Sequence, residues 1–155
     1  MASAEGRPAV LLIDDNEATC VLMQAILQNE FACDQASDGA EALEKLKTNR
    51  YAAILLDLKM PNVDGIGVLT YLRDNFPDRL GRVLIVTASL MPTELKLVEE
   101  FKICGVVRKP FHVEELLASV KNCVSGSDDR ATGGGFYKSS AVLLLLADLF
   151  RSRWG

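Results

Sequence analysis

Aliphatic runs that end on a polar group recur along this chain. Ala9-Val10-Leu11-Leu12-Ile13 runs into Asp14-Asp15-Asn16, and Ile54-Leu55-Leu56 runs into Asp57, with Met60-Pro61 close behind. Arg82-Val83-Leu84-Ile85-Val86 ends on Thr87, and Val106-Val107 ends at Arg108-Lys109-Pro110. Short apolar runs bounded by breakers predict buried strands in a parallel sheet covered on both faces. The run ending at Leu56 starts at about Tyr51, and Phe31 to Ala36 adds a weaker strand.

Between these runs the apolar period becomes helical. Ala18, Val21, Leu22, Ala25 and Ile26 predict a helix from Glu17 to Gln28. Ser37-Asp38-Gly39 opens the next helix: Asp38 or Ser37 can cap it, Glu41 supports the cap, and Ala42, Leu43 and Leu46 form its stripe. A third follows the turn at Asp64-Gly65, running through Leu69, Leu72 and Arg73 and stopping near Pro77. Pro92 to Lys102 carries Pro in its first turn, and Val113 to Val124 points Leu116, Leu117 and Val120 inward. Five strands alternating with five helices predict βαβ units and an α/β fold. Right-handed crossovers narrow the topology, and a flavodoxin-like doubly wound parallel sheet of order 2-1-3-4-5 is the expectation.

Beyond residue 124 the composition changes. Residues 125–135, SGSDDRATGGG, read as a flexible linker between a domain at 1–124 and an apolar tail at 136–155. On a helix, Val142, Leu145, Leu146 and Leu149 of the tail share one side, so an extra C-terminal helix is expected that packs on the domain or on a second copy. The apolar run is shorter than the roughly 20 residues a bilayer span takes, and Asp148 interrupts it. No membrane span is expected, and 20 residues are too few for a helix-turn-helix DNA-binding domain.

At 155 residues and 49% hydrophobic composition the chain can build one sizeable core. A net charge of -4 argues against a nucleic-acid surface, which needs clustered Lys and Arg. Cys20, Cys33, Cys104 and Cys123 lack metal-ligand spacing, and His112 is the only histidine. Reduced core thiols in a cytosolic protein are expected, since residues 1–8 lack the apolar core of a signal peptide.

The predicted sheet brings Asp14, Asp15, Asp57, Thr87 and Lys109 to the carboxyl ends of their strands, where ligands of open α/β sheets bind. Crowded carboxylates repel: two unit charges 4 Å apart cost roughly 4 kcal/mol at an effective dielectric of 20. A divalent cation removes that cost, and an oxygen-only, incomplete cage suits Mg²⁺. With Mg²⁺ and the Lys109 ammonium nearby, Asp57 can attack phosphorus as an anionic nucleophile.

On these residues the chain resembles the receiver domains of response regulators. The matching positions are Asp14-Asp15, Asp57 with Met60-Pro61 and Asp64-Gly65, Thr87-Ala88, and Lys109-Pro110-Phe111, with Ser37 to Ala42 fitting the start of the family's second helix. The likeness covers about residues 8–124. It implies that Asp57 accepts a phosphoryl group from a sensor histidine kinase or phosphotransfer protein. Asp15, Asp57 and the Lys59 main-chain carbonyl would ligate Mg²⁺, and Asp14 would act through a metal-bound water. Lys109 would pair with a phosphoryl oxygen, and the Thr87 hydroxyl would move to bond it. Turnover would be limited to self-phosphorylation and slow self-dephosphorylation at Asp57. Output would pass through the loop and helix at 87–102 to a downstream protein, or to a second copy through the tail or the 92–107 face.

Two departures from the family pattern stand out. Val106 occupies the place of a family aromatic residue that turns inward on activation, and a Val cannot make the same large rotation. Output is therefore expected to rest on the helix at 92–102 and its loop. Lys59 and Ser89 stand at positions that tune phosphoryl lifetime in the family. His112, at a helix start, reads as a surface residue.

Three rival functions are distinguishable. An aspartyl-nucleophile phosphatase like the haloacid-dehalogenase superfamily would carry a general-acid Asp where this chain has Lys59. A flavin binder would need a Ser/Thr/Gly-rich first loop, which Asp14-Asp15 replaces with repulsion toward phosphate. A phosphorylation-independent binding module would not need the acidic pair, Asp57, Thr87 and Lys109 together.

Overall fold

The computed structural model describes residues 6–129. Five parallel strands, β1 (Ala9–Ile13), β2 (Ala32–Ala36), β3 (Ala53–Leu56), β4 (Val83–Thr87) and β5 (Gly105–Arg108), form one sheet in the order β2-β1-β3-β4-β5. Five α-helices connect and follow them: α1 (Glu17–Leu27), α2 (Gly39–Thr48), α3 (Gly65–Asn75), α4 (Pro92–Glu100) and α5 (Val113–Asp129). The doubly wound flavodoxin-like architecture is therefore the one the strand and helix periods predict.

The strands are apolar throughout because both faces are covered. Leu11, Ile13, Ile54, Leu56 and Ile85 point to one side, against Ala42 and Leu46 of α2, Val68, Leu69 and Leu72 of α3, and Leu95 and Val98 of α4. Val10, Leu12, Leu55, Leu84 and Val86 point to the other, against Met23 and Leu27 of α1 and Leu116 and Val120 of α5.

The caps resolve what the sequence left open. Asp38, not Ser37, caps α2 by accepting the Glu41 N–H at 2.8 Å, while the Glu41 carboxylate takes the Ser37 N–H at 2.9 Å. Asn16 and Asp64 cap α1 and α3 in the same way, through Thr19 N–H and Gly67 N–H.

Three expectations are corrected. Pro77–Arg82 forms a 3₁₀ helix where only a stop was predicted. The buried Arg79 guanidinium holds it, donating to the Leu46 carbonyl at 2.6 Å and lying 4.0 Å from the Phe76 ring centre. Helix α5 runs on to Asp129, past Val124, because the small polar residues that suggest a linker extend a helix already nucleated by its buried face. The thiols are not all free: Cys104 and Cys123 form a disulfide, with Cα atoms 5.7 Å apart, while Cys20 and Cys33 remain thiols. Their separation of 19 residues concealed the contact, which arises because α5 packs back along β5. The expected tail helix at 136–155 and most of the linker lie outside the described residues. No helix among the described residues is long and apolar enough to cross a membrane.

Candidate functional site

The sheet register assembles the site. Ile13 pairs with Leu56, and the ladder continues one step further: Asp57 N–H donates to the Ile13 carbonyl at 2.9 Å and Asp14 N–H to the Ala36 carbonyl at 3.1 Å. Asp14 and Asp57 thus leave adjacent strands side by side. Across the sheet Thr87 pairs with Arg108, and Lys109 N–H donates to the Thr87 carbonyl at 2.9 Å. The Lys109 stem then reaches back over the strand ends.

Carboxylate oxygens of Asp14, Asp15 and Asp57 lie within 4.8 Å of one another. Asp14 is 2% exposed and Asp57 7%, whereas Asp15 is open to solvent. Lys109 Nζ donates to Asp14 Oδ2 at 2.6 Å and to Asp57 Oδ2 at 3.3 Å. Backbone amides hold the other oxygens: Asn16 N–H donates to Asp14 Oδ1 at 2.9 Å and Lys59 N–H to Asp57 Oδ1 at 3.2 Å. Burial raises the Asp14 pKa even against the Lys109 bond. Burial would lower that of Lys109, but the bond to Asp14 and the Asp57 charge outweigh it and raise it, so the ammonium stays charged.

Of the residues singled out from sequence, Asp14, Asp15, Asp57 and Lys109 meet in one pocket. Thr87 sits fully buried at the next strand end, and its hydroxyl donates to the Ser89 carbonyl at 3.1 Å rather than into the pocket. The Lys59 side chain turns away from Asp57 to Glu94 of α4.

The response regulator receiver domain family matches residues 10–121, a span that contains every pocket residue. The chain belongs to that family. It is 36% identical over 115 residues to the transcriptional regulatory protein SrrA of Staphylococcus aureus, covering 72% of this chain and 46% of that one. The chain therefore matches about half the length of these curated relatives. The receiver domain of the Francisella response regulator 1452 superposes with a TM-score of 0.68 at 28% identity, covering 78% of this chain and 99% of that one. The Vibrio cholerae chemotaxis protein CheY4 does so at 0.69 and 25%, covering 76% and 98%.

Within this receiver domain Val106 is buried in the core beneath α4, where a branched side chain has no large rotation to make. Burial pushes the Cys20 thiol, 3.5 Å from the Asp14 carbonyl, up to about 11, with the Asp14 charge adding to it, so it is no rival nucleophile. The donor set of three carboxylates is all oxygen, which fits Mg²⁺. Sequence reading missed Glu94. Its place as the third residue of α4 signals a capping carboxylate, but nothing local signals a partner 35 residues away.

Gly65 fixes the height of the Asp57 loop. A Cβ there would stand 2.6 Å from Leu58 Cα and 2.7 Å from the Asp57 carbonyl, both backbone atoms. Gly65→Ala should therefore cost about 1–3 kcal/mol, since the backbone must give way. A denaturant midpoint equal to that of the parent chain would show that the loop has room.

Proposed function

We propose that the domain is the phosphoacceptor of a two-component phosphorelay. The observation that carries this reading is the sharing of one ammonium, Lys109, by Asp14 and Asp57 beside Asp15. An Asp57 carboxylate oxygen attacks the phosphorus of a phosphohistidine on a sensor kinase or phosphotransfer protein. The P–O bond forms as the P–N bond breaks, and the imidazole leaves with its electron pair and takes up a proton. Asp15, Asp57 and the Lys59 main-chain carbonyl would hold Mg²⁺ directly and Asp14 through water, and the ion would supply charge neutralisation on the phosphoryl oxygens. Lys109 then moves from the carboxylates to a phosphoryl oxygen, and water slowly hydrolyses the aspartyl phosphate, releasing inorganic phosphate and restoring the Asp57 carboxylate.

The Thr87 hydroxyl, held by Ser89 before transfer, gains a stronger acceptor in the phosphoryl oxygens, which carry about -1.5 to -2 charge. Turning toward them releases the loop before α4 and biases a two-state element. The half-exposed Leu97 makes the 92–107 face the surface proposed for a downstream protein or a second copy. The position of a phosphatase's general acid is held by Lys59, whose ammonium is engaged with Glu94, which favours signalling over turnover. A cytoplasmic setting, beside the kinase, would expose the Cys104–Cys123 bond to reducing thiols.

Acetyl phosphate with Mg²⁺ should add one phosphoryl group to the full chain by intact mass and none to Asp57→Asn. Equal uptake by the variant would refute the assignment.

A further inference from the structure

Helix α4 is held lightly: Leu95 and Val98 are the two residues in its span that are buried. Besides the backbone bond from Leu95 N–H to the Met91 carbonyl, its first turn is braced through the Glu94 carboxylate, which makes two contacts. One Glu94 oxygen accepts the Met91 N–H at 2.9 Å, satisfying an amide that Met91's own side chain cannot serve. The other pairs with the Lys59 ammonium. Lys59 in turn is tied to the phosphoacceptor, since its N–H donates to Asp57 Oδ1 at 3.2 Å. A chain of contacts therefore runs from the Asp57 carboxylate through Lys59 and Glu94 to the amide that opens α4.

We propose that Lys59–Glu94 is an electrostatic latch, in which Lys59 holds the first turn of α4 through Glu94 and is drawn off by a phosphoryl group on Asp57. This rests on the phosphoacceptor reading above. The Lys59 amide nitrogen is 3.2 Å from Asp57 Oδ1 and its Cα one bond of about 1.5 Å further on, so the flexible four-carbon stem can swing the ammonium back to a phosphoryl group there. The phosphoryl group presents about -1.5 to -2 charge and three acceptor oxygens, against one unit of charge on Glu94. The contest favours the phosphoryl group, and Glu94 then loses its cation. Side-chain exposure of 54% at Lys59 limits the latch to an exposed ion pair, so its removal should shift the α4 equilibrium by about two- to fivefold.

Glu94→Gln is the discriminating variant, because the amide oxygen can still accept the Met91 N–H while the charge is lost. Hydrogen exchange of the amides of Met91 and of residues 93–95 should be measured in the full chain and in Glu94→Gln, with and without acetyl phosphate and Mg²⁺. The parent chain should exchange about two- to fivefold faster there once phosphorylated or at high salt, which screens the pair. Glu94→Gln should exchange at the faster rate from the start, with little response to salt and only the response to phosphorylation that the Thr87 loop supplies, while taking up phosphoryl normally. Normal uptake with parent-like exchange in Glu94→Gln overturns the latch alone. No uptake by the parent chain overturns the phosphoacceptor reading and the latch with it.

Discussion

Lys109→Gln is expected to slow phosphoryl uptake from acetyl phosphate by about a hundredfold or more. The ammonium is the one protein cation within hydrogen-bond reach of both Asp14 and Asp57 among the described residues. Removing a single positioned donor from developing oxyanion charge typically costs 10²- to 10³-fold, and an amide here keeps the shape without the charge. The same change leaves Asp14, 2% exposed, without its counter-charge. Breaking a fully buried pair costs about 3–5 kcal/mol. Lys109 is 17% exposed in its side chain, so about 1–2 kcal/mol is the expected loss of stability here. Rates by intact mass and midpoints by urea unfolding check the two effects separately. A variant with parent-like uptake would remove Lys109 from the mechanism.

Opening the Cys104–Cys123 bond is expected to have the largest effect on stability. Cross-linking residues 19 apart restricts the unfolded chain by about 3 kcal/mol in the chain-entropy treatment. For a domain of this size that corresponds to a melting temperature lower by about 10 °C. The bond ties α5 to the start of β5, so the loss should appear equally under reductant and in Cys104→Ala. Melting curves that coincide with and without reductant would show that the tether does not stabilise the fold.

Much of this architecture was legible because parallel strands and amphipathic helices write different periods into the chain. The runs ending at Ile13, Leu56 and Thr87 are buried on both faces, so their apolar continuity survives in the sequence. The pocket was legible for the same reason: Asp14, Asp57 and Lys109 each interrupt or follow such a run, and parallel register collects strand ends at one edge. What escaped depends on distance in sequence. The disulfide, the Lys59–Glu94 pair and the Arg79 contact with the Leu46 carbonyl join elements that local pattern treats separately. The extension of α5 to Asp129 escaped because Ser, Gly and Asp have low helix propensity, which an established helix overrides.

The pocket's chemistry can be read at a single atom. Acetyl phosphate and Mg²⁺ should leave an acyl phosphate, which borohydride reduces so that the aspartate carrying it becomes homoserine. Peptide mass spectrometry is expected to find homoserine at position 57 and nowhere else. Homoserine at position 14 or 15, or a phosphoryl group that survives borohydride as a serine or threonine ester, would contradict the assignment of Asp57 as the acceptor.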